Sequence, residues 1–206
     1  MKKVYLGNRH LTTLATREEG GGGGNDDVVK SLIDRSIKSV DIPSGVTSIG
    51  GYAFYYCSSL SSVTIPNSVT SIGENAFYGC SSLKSIDIPS GVTTIGQFAF
   101  IDCASLSSVT IPNSVTSIGD KAFYGCSSLT SIEIPSGVTE IGKQAFLGCN
   151  SLSSVTIEST TKLTYKANAF KSIASNAVLH VPSDLVDAYK ADSKWSSAFG
   201  GGIVAI

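Results

Sequence analysis

Charged side chains are scarce in this chain. Asp, Glu, Lys and Arg make up 15% of its 206 residues, and the formal net charge is −1. An ordinary globular domain carries roughly 25% charged residues. A chain with so little charge, and no excess of basic residues, lacks the basic surface that binds nucleic acids or anionic lipids. We therefore expect no nucleic-acid partner and no attachment to an anionic membrane surface.

Long apolar runs are also lacking. No stretch approaches the roughly 18 apolar residues that a membrane span requires. The first residues have the basic start of a signal peptide, but a polar stretch from Gly7 to His10 interrupts the apolar middle. We expect neither membrane insertion nor a secretory leader.

Motifs for catalysis and metal binding are missing as well. The two histidines, His10 and His180, lie far apart in the chain, and no Cys-x-x-Cys pair occurs. A catalytic site places one nucleophile or acid against an orienting partner, whereas Ser, Thr and Asp recur here at regular intervals. The sequence predicts a protein that is not an enzyme and that needs no cofactor or metal.

What the sequence does contain is a repeat of 23 residues. Each unit carries the same Ile-Gly, Ala-Phe, Cys, Leu and Pro positions. The cysteines that mark the five units are Cys57, Cys80, Cys103, Cys126 and Cys149. A fixed period of 20 to 50 residues is typical of a solenoid, in which stacked turns bury a core that one turn cannot bury alone.

Local patterns predict the course of one turn. Val63 and Ile65 alternate with polar residues, as in a half-buried strand. Pro66 ends that strand because it has no N–H to donate. The recurring glycine, Gly73 in this unit, suits a bend that needs a positive φ. The segment Ala-Phe-Tyr-Gly-Cys that follows predicts a compact corner, a short 3₁₀ turn.

The repeated pattern Ile-Gly-x-x-Ala-Phe-x-x-Cys-x-x-Leu-x-x-Val/Ile-x-Ile-Pro-x-x-Val-Thr resembles the BspA-like class of bacterial leucine-rich repeats. The resemblance covers residues 38–157 closely. A weaker copy follows, stretched by one residue at Ala169-Phe170, and the tail is similar to the family's C-terminal cap. We expect a right-handed, leucine-rich-repeat-like coil with short parallel β-strands, 3₁₀ corners and helical caps at both ends.

The chain divides into five predicted segments. A capping helix is predicted after the glycines, with Asn25 or Asp26 as its N-cap residue. A second helix is predicted from Asp184 to Phe199, with Ser183 as its N-cap residue. The segments are an N-terminal hairpin or anchor (1–19), a glycine linker (20–24), a capping helix (25–37), the solenoid (38–180) and a C-terminal cap of helix then strand (181–206).

A longer period of 46 residues is superimposed on the shorter one, because Asp41, Asp87 and Glu133 alternate with Thr64, Thr110 and Thr156. Duplication of a two-turn block explains this alternation. The cysteines recur too regularly to form a reactive site, and their side chains would point in parallel at about 4.8 Å spacing. They are predicted to be buried thiols that fill the core.

Two surfaces are candidates for binding a partner. One is the polar sheet face, Asp41, Thr64, Asp87, Thr110 and Glu133. The other is an aromatic corner column, formed by Tyr55, Tyr78, Ile101 and Tyr124, with Leu147 at the same position and Tyr52, Tyr56 and Phe98 nearby. If exposed, this column suits contact with protein or carbohydrate, or self-association. The alternative is that it packs down on its own turn.

The resemblance implies a bacterial surface adhesin that binds a host protein or glycan. Two other functions fit the sequence. A phage virion component would be anchored through residues 1–24, and an intracellular scaffold would accommodate the reduced thiols most easily. The location therefore stays open between cell surface, phage particle and cytoplasm, and a homo-oligomer is compatible with each.

Overall fold

The computed structural model describes residues 35–206, together with the backbone of three short N-terminal strands, β1 (Val4–Leu6), β2 (Arg9–Leu11) and β3 (Val28–Val29). From residue 39 onward the chain winds as a parallel β-solenoid. The strands of the solenoid are β4 (Ser39–Asp41), β5 (Ser48–Ile49), β6 (Ser62–Thr64), β7 (Ser71–Ile72), β8 (Ser85–Asp87), β9 (Thr94–Ile95), β10 (Ser108–Thr110), β11 (Ser117–Ile118), β12 (Ser131–Ile134), β13 (Glu140–Ile141), β14 (Ser154–Ile157), β15 (Val178–Val181) and β16 (Gly202–Ala205).

Each full repeat contributes one strand to each of two stacks. The two-residue strands form one parallel sheet in the order β13-β11-β9-β7-β5-β3. The longer strands form a second stack that is divided into β4-β6, β8-β10 and β12-β14-β15-β16. This division follows the 46-residue period, because each acidic residue pairs with the threonine of the next turn, as Asp87 does with Thr110. The predicted repeat solenoid with short parallel strands is confirmed.

The corners are built from hydrogen bonds of two kinds that alternate along the chain. The amides of Ala76, Tyr78 and Cys80 donate to carbonyls three residues back. The amides between them donate to the next turn instead, as Phe77 does to Ala99 at 2.8 Å. The local bonds are of the predicted 3₁₀ type, but no continuous 3₁₀ helix forms because every second amide serves the neighbouring turn.

The recurring glycine has a different role from the predicted one. Gly73, Gly96, Gly119 and Gly142 are absent from the positions with positive φ. A Cβ atom on Gly119 would lie 2.7 Å from the amide nitrogen of Gln97 and 2.8 Å from the carbonyl carbon of Gly96. The expectation of a positive φ was therefore wrong. Glycine is required there because the backbones of adjacent turns touch.

The core is a column of stacked phenylalanine rings. Neighbouring rings lie 4.9–5.3 Å apart between centroids and within 10° of parallel. The rings are those of Phe54, Phe77, Phe100, Phe123, Phe146 and Phe170. Phe170 keeps its place in spite of the extra residue before it, so the last turn absorbs the insertion outside the core.

The five cysteines are buried thiols beside this column. The Cys80 thiol donates to the carbonyl oxygen of Phe54 at 3.1 Å, and the thiols of Cys103, Cys126 and Cys149 repeat this contact one turn further on. Burial raises the pKa of each of these four thiols, that of Cys149 to about 12. Thiols held in the protonated form are poor nucleophiles and poor metal ligands.

We predict that the folded protein resists thiol-specific reagents. At pH 8, Ellman's reagent should label none of the four thiols with raised pKa values within an hour, because burial suppresses both thiolate formation and access. All five thiols of the sequence should react within minutes in guanidinium chloride, which serves as the control. Rapid labelling of several thiols in the native protein would contradict this packing.

The C-terminal cap is helical, as predicted, but it is divided. A 3₁₀ turn (Ser183–Leu185) leads into α1 (Val186–Lys190), and α2 (Ser193–Ser196) follows. Ser183 makes no capping hydrogen bond, so its predicted role was wrong; Asp192 caps α2 by accepting from the amide of Lys194. The break lets Trp195 reach the last ring of the core, with centroids 5.7 Å apart.

A capping helix was predicted over residues 25–37. This prediction was wrong at Val28–Val29, because these residues form strand β3 and pair in parallel with β5. Both residues are β-branched, which favours the extended conformation. The added strand also pairs the edge of β5 that would otherwise be open. Residues 25–27 and 30–34, like the glycine linker, lie outside the described residues.

Candidate interaction surfaces

The corner column is partly exposed. Some of its side chains are open to solvent, as a binding surface requires, and others pack down on their own turn. Tyr55, Tyr78 and Tyr124 are half-buried, as are Leu147 and Phe98. Ile101 is 6% exposed and belongs to the interior. Its proposed place in a partner-binding stripe is therefore corrected: a continuous aromatic stripe is interrupted at the third turn.

The aromatic side chains concentrate at the first two turns. Tyr52, Tyr55, Tyr56 and Tyr78 form what we term the tyrosine cluster. The ring of Tyr55 lies 5.4 Å from that of Tyr52, 4.7 Å from that of Tyr56 and 5.1 Å from that of Tyr78. Packed rings of this kind form a rigid apolar surface edged by hydroxyl groups.

Two members of the cluster face solvent. Tyr52 is 49% exposed and Tyr56 45% exposed. Among the large hydrophobic side chains whose exposure the structure gives, only Val204 and Ile206 at the other end of the solenoid are comparably open. Among the described residues, the tyrosine cluster therefore contains the two most exposed aromatic rings.

The exposed tyrosines also occupy strained backbone. Tyr52 has a φ of 61° and Tyr56 a φ of 55°, a conformation that bulky residues rarely adopt. Later turns also have a positive φ at these two positions, where the second turn places Asn75 and Gly79 and the third places Phe98 and Asp102. The ring of Tyr56 lies over Gly79, where a Cβ atom would be only 2.7 Å from it. The positive φ therefore belongs to the corner of every repeat, and the first turn differs in placing tyrosine at both positions.

Two charged residues of the corner column were not identified from the sequence, and one of them, Asp102, lies near Tyr78. Asp102 occupies the position of Tyr56 two turns later, and its carboxylate lies over Gly125. Partial desolvation against this turn raises the pKa of its exposed carboxyl group. Lys121 lies 5.8 Å from the ring centroids of both Phe98 and Tyr124. Asp102 could have been identified from the sequence, because one repeat position holds Tyr56, Gly79, Asp102 and Gly125 in successive turns.

The hydroxyl of Tyr78 is perturbed by this neighbourhood. Hydrogen bonding with the Tyr56 side chain, then burial and the charge of Asp102, raise the pKa of Tyr78. A tyrosine hydroxyl is protonated at neutral pH even without this shift, so it can donate a hydrogen bond. The surface combines aromatic faces, hydroxyl donors and a nearby carboxylate acceptor.

The polar sheet face is exposed but offers no anchor. Asp87, Thr110 and Glu133 point outward from consecutive strands, and the Thr110 hydroxyl donates to Asp87 at 2.8 Å. Hydrogen bonds between neighbouring turns therefore use part of this polar surface. A flat face without aromatic or large apolar groups lacks the side chains that usually dominate binding energy.

A cleft of about 560 Å³ lies between the last turn and the C-terminal helices. Of the lysines that line it, Lys194 donates to the carbonyl oxygen of Tyr165 and lies over the ring of that residue. These contacts join the C-terminal helices to the last turn beside the cleft.

Within the described residues, no cluster of His, Cys, Asp or Glu side chains is arranged to hold a metal ion. No helix in the same part of the chain combines the length and apolar character that crossing a bilayer requires.

Turns that stack through parallel strands, with leucine, phenylalanine and cysteine columns inside, define a leucine-rich-repeat solenoid. The family profile of the BspA type leucine rich repeat region matches in six copies over residues 31–118 and 93–190. The chain belongs to this family.

Two solved structures show the extent of the similarity. A leucine rich cell surface protein from Faecalibacterium prausnitzii is 29% identical, with a TM-score of 0.58 over 83% of this chain and 51% of that one. The T. pallidum leucine rich repeat protein is 34% identical, with a TM-score of 0.57 over 65% of this chain and 70% of its own. The chain thus matches about half the length of the first relative. No curated protein sequence matches it.

Proposed function

We propose that this protein is a non-enzymatic recognition module of the bacterial surface, which binds a host protein or glycan through the tyrosine cluster. The observation that carries the proposal is the break in repeat symmetry at the first turn. Among the described turns, this one alone places tyrosine at both of the corner positions that have a positive φ, and both rings are exposed. Retaining such residues costs stability, which is consistent with selection for binding.

Two further observations support the proposal. Tyrosine is among the residues that most often dominate binding energy, and rings already packed together lose little entropy on binding. The similarity to a leucine rich cell surface protein supports the location, and the regular recurrence of Ser, Thr and Asp supports a role without catalysis.

The repeat supplies the variant that tests the site. Replacing Tyr52 by Asn and Tyr56 by Gly converts the first corner to the sequence of the second, Asn-Ala-Phe-Tyr-Gly-Cys. Both replacements tolerate a positive φ, so the fold should be kept and thermal stability should not fall. We expect binding to weaken by about 30-fold or more, the scale of a lost hot spot.

The measurement is biolayer interferometry against purified extracellular-matrix proteins and a panel of defined oligosaccharides. The control variant Asp87→Asn with Glu133→Gln alters the polar sheet face and should bind like the wild type. Loss of binding in this control, with the corner variant unaffected, would move the site to the sheet face.

Fractionation separates the location from the site. The proposal expects the protein on intact cells, accessible to added protease. Recovery with purified phage particles, dependent on residues 1–24, would favour the virion component, and recovery only in the cell interior would favour the scaffold.

A further inference from the structure

The C-terminal end of the solenoid carries an open sheet edge. Strand β16 pairs in parallel with β15 over four residues, and no described strand pairs with its other side. The pairing extends to Ile206, whose amide donates to Val181 at 2.9 Å. An edge of this kind presents a row of backbone donors and acceptors to any strand that can reach it.

Helix α1 contacts β16, but the charged residues and prolines that often protect an edge strand are missing from it. Residues 201–206, Gly-Gly-Ile-Val-Ala-Ile, include no charged side chain and no proline. Val204 is 40% exposed and Ile206 62% exposed. Native edges are usually blocked by lysine, proline, a bulge or a covering segment, and an exposed apolar edge favours association.

We propose that β16 pairs antiparallel with β16 of a second copy of this chain, so that the two solenoids join tail to tail in a twofold dimer. Each copy supplies the same uncharged strand, so like charges do not oppose each other across the twofold axis. The exposed apolar side chains beside the strand become cross-strand neighbours.

The geometry of the other end favours this closed arrangement over a filament. A head-to-tail contact would place β16 against the N-terminal edge of another copy. There, β4 has β1 of its own chain beside it, and β3 is only two residues long. An isologous contact closes after two copies, whereas a heterologous contact continues.

Two variants test the pairing by different means. Val204→Lys places like charges across the twofold axis. Ala205→Pro removes a backbone donor on the open side, because the Ile206 amide points toward β15 and the direction alternates along a strand. Thr110→Lys adds the same charge on the exposed sheet face far from the edge and is the matched control.

Sedimentation velocity over a range of protein concentrations measures the outcome, with circular dichroism as a check of folding. The wild type and Thr110→Lys should dimerise with the modest affinity of a small interface. Val204→Lys and Ala205→Pro should each raise the dimer Kd by about tenfold or more. A wild-type protein that stays monomeric, or a Val204→Lys variant that dimerises normally, would overturn the proposal. Formation of larger polymers would favour the head-to-tail arrangement instead.

Discussion

Replacing Phe100 by alanine should lower the free energy of unfolding by about 3–5 kcal/mol, the usual range for a buried phenylalanine. The ring is fully buried and stacks on Phe77 at 5.2 Å and on Phe123 at 5.3 Å. A cavity there removes contacts from two turn boundaries at once. Because each turn is stabilised mainly by its neighbours, the loss should also weaken the coupling between the two halves of the solenoid.

Urea unfolding monitored by circular dichroism tests this expectation. The control is Phe98→Ala in the same turn, two residues earlier, where the ring is half-buried at the corner. That substitution should cost about 1 kcal/mol or less. Equal losses at the two positions would show that the ring column is no more important than the corner surface. A broadened transition for Phe100→Ala alone would indicate that the halves unfold separately.

Gly119→Ala should be the second most damaging change, at about 3 kcal/mol, the upper end of the range for overpacking. The new methyl group would lie within 3.0 Å of backbone atoms of Ile95, Gly96 and Gln97. These atoms belong to the neighbouring turn and cannot rotate away, as the end of a side chain could. An unhindered Gly-to-Ala change would instead stabilise by about 0.4–1 kcal/mol through the unfolded state, so the sign of the effect is diagnostic.

The comparison is with Gly148→Asn in the next repeat. Gly148 has a φ of 80°, and its nearest neighbours would lie 3.7 Å from a new Cβ atom. Asn tolerates this conformation, so stability should change by about 0.5 kcal/mol or less. Thermal unfolding of both variants measures the difference. A Gly119→Ala variant as stable as the wild type would contradict the explanation based on close backbone contact.

The 23-residue period predicted the features that every turn shares. Parallel strands, the phenylalanine column and the buried thiols follow from the sequence because each position has the same surroundings in successive turns. The role of Gly119 could not be predicted in this way. A glycine that recurs in every repeat is compatible both with a positive φ and with close backbone contact, and only the position of the adjacent turn distinguishes the two explanations.

The ends of the chain were harder to predict because they lack a neighbouring repeat for comparison. The spacing of Val29, Leu32 and Ile33 fits the apolar face of a helix, whereas Val28–Val29 pair with the edge of β5. The exposure of the tyrosine rings could not be predicted either, because it depends on a contact between neighbouring turns. Tyr56 can lie outside because Gly79 leaves room for its ring, and this is visible only when the turns are stacked.

The 46-residue block, within which the longer strands pair as β4-β6 and β8-β10, makes the length of the solenoid adjustable. A block begins and ends on equivalent surfaces, so inserting or deleting one would recreate the same boundaries and require no new core. Each block would move the tyrosine cluster by about 10 Å relative to the C-terminal end, since stacked strands are about 4.8 Å apart. The solenoid can thus act as a spacer whose reach changes in fixed increments while the chemistry at its tip stays constant.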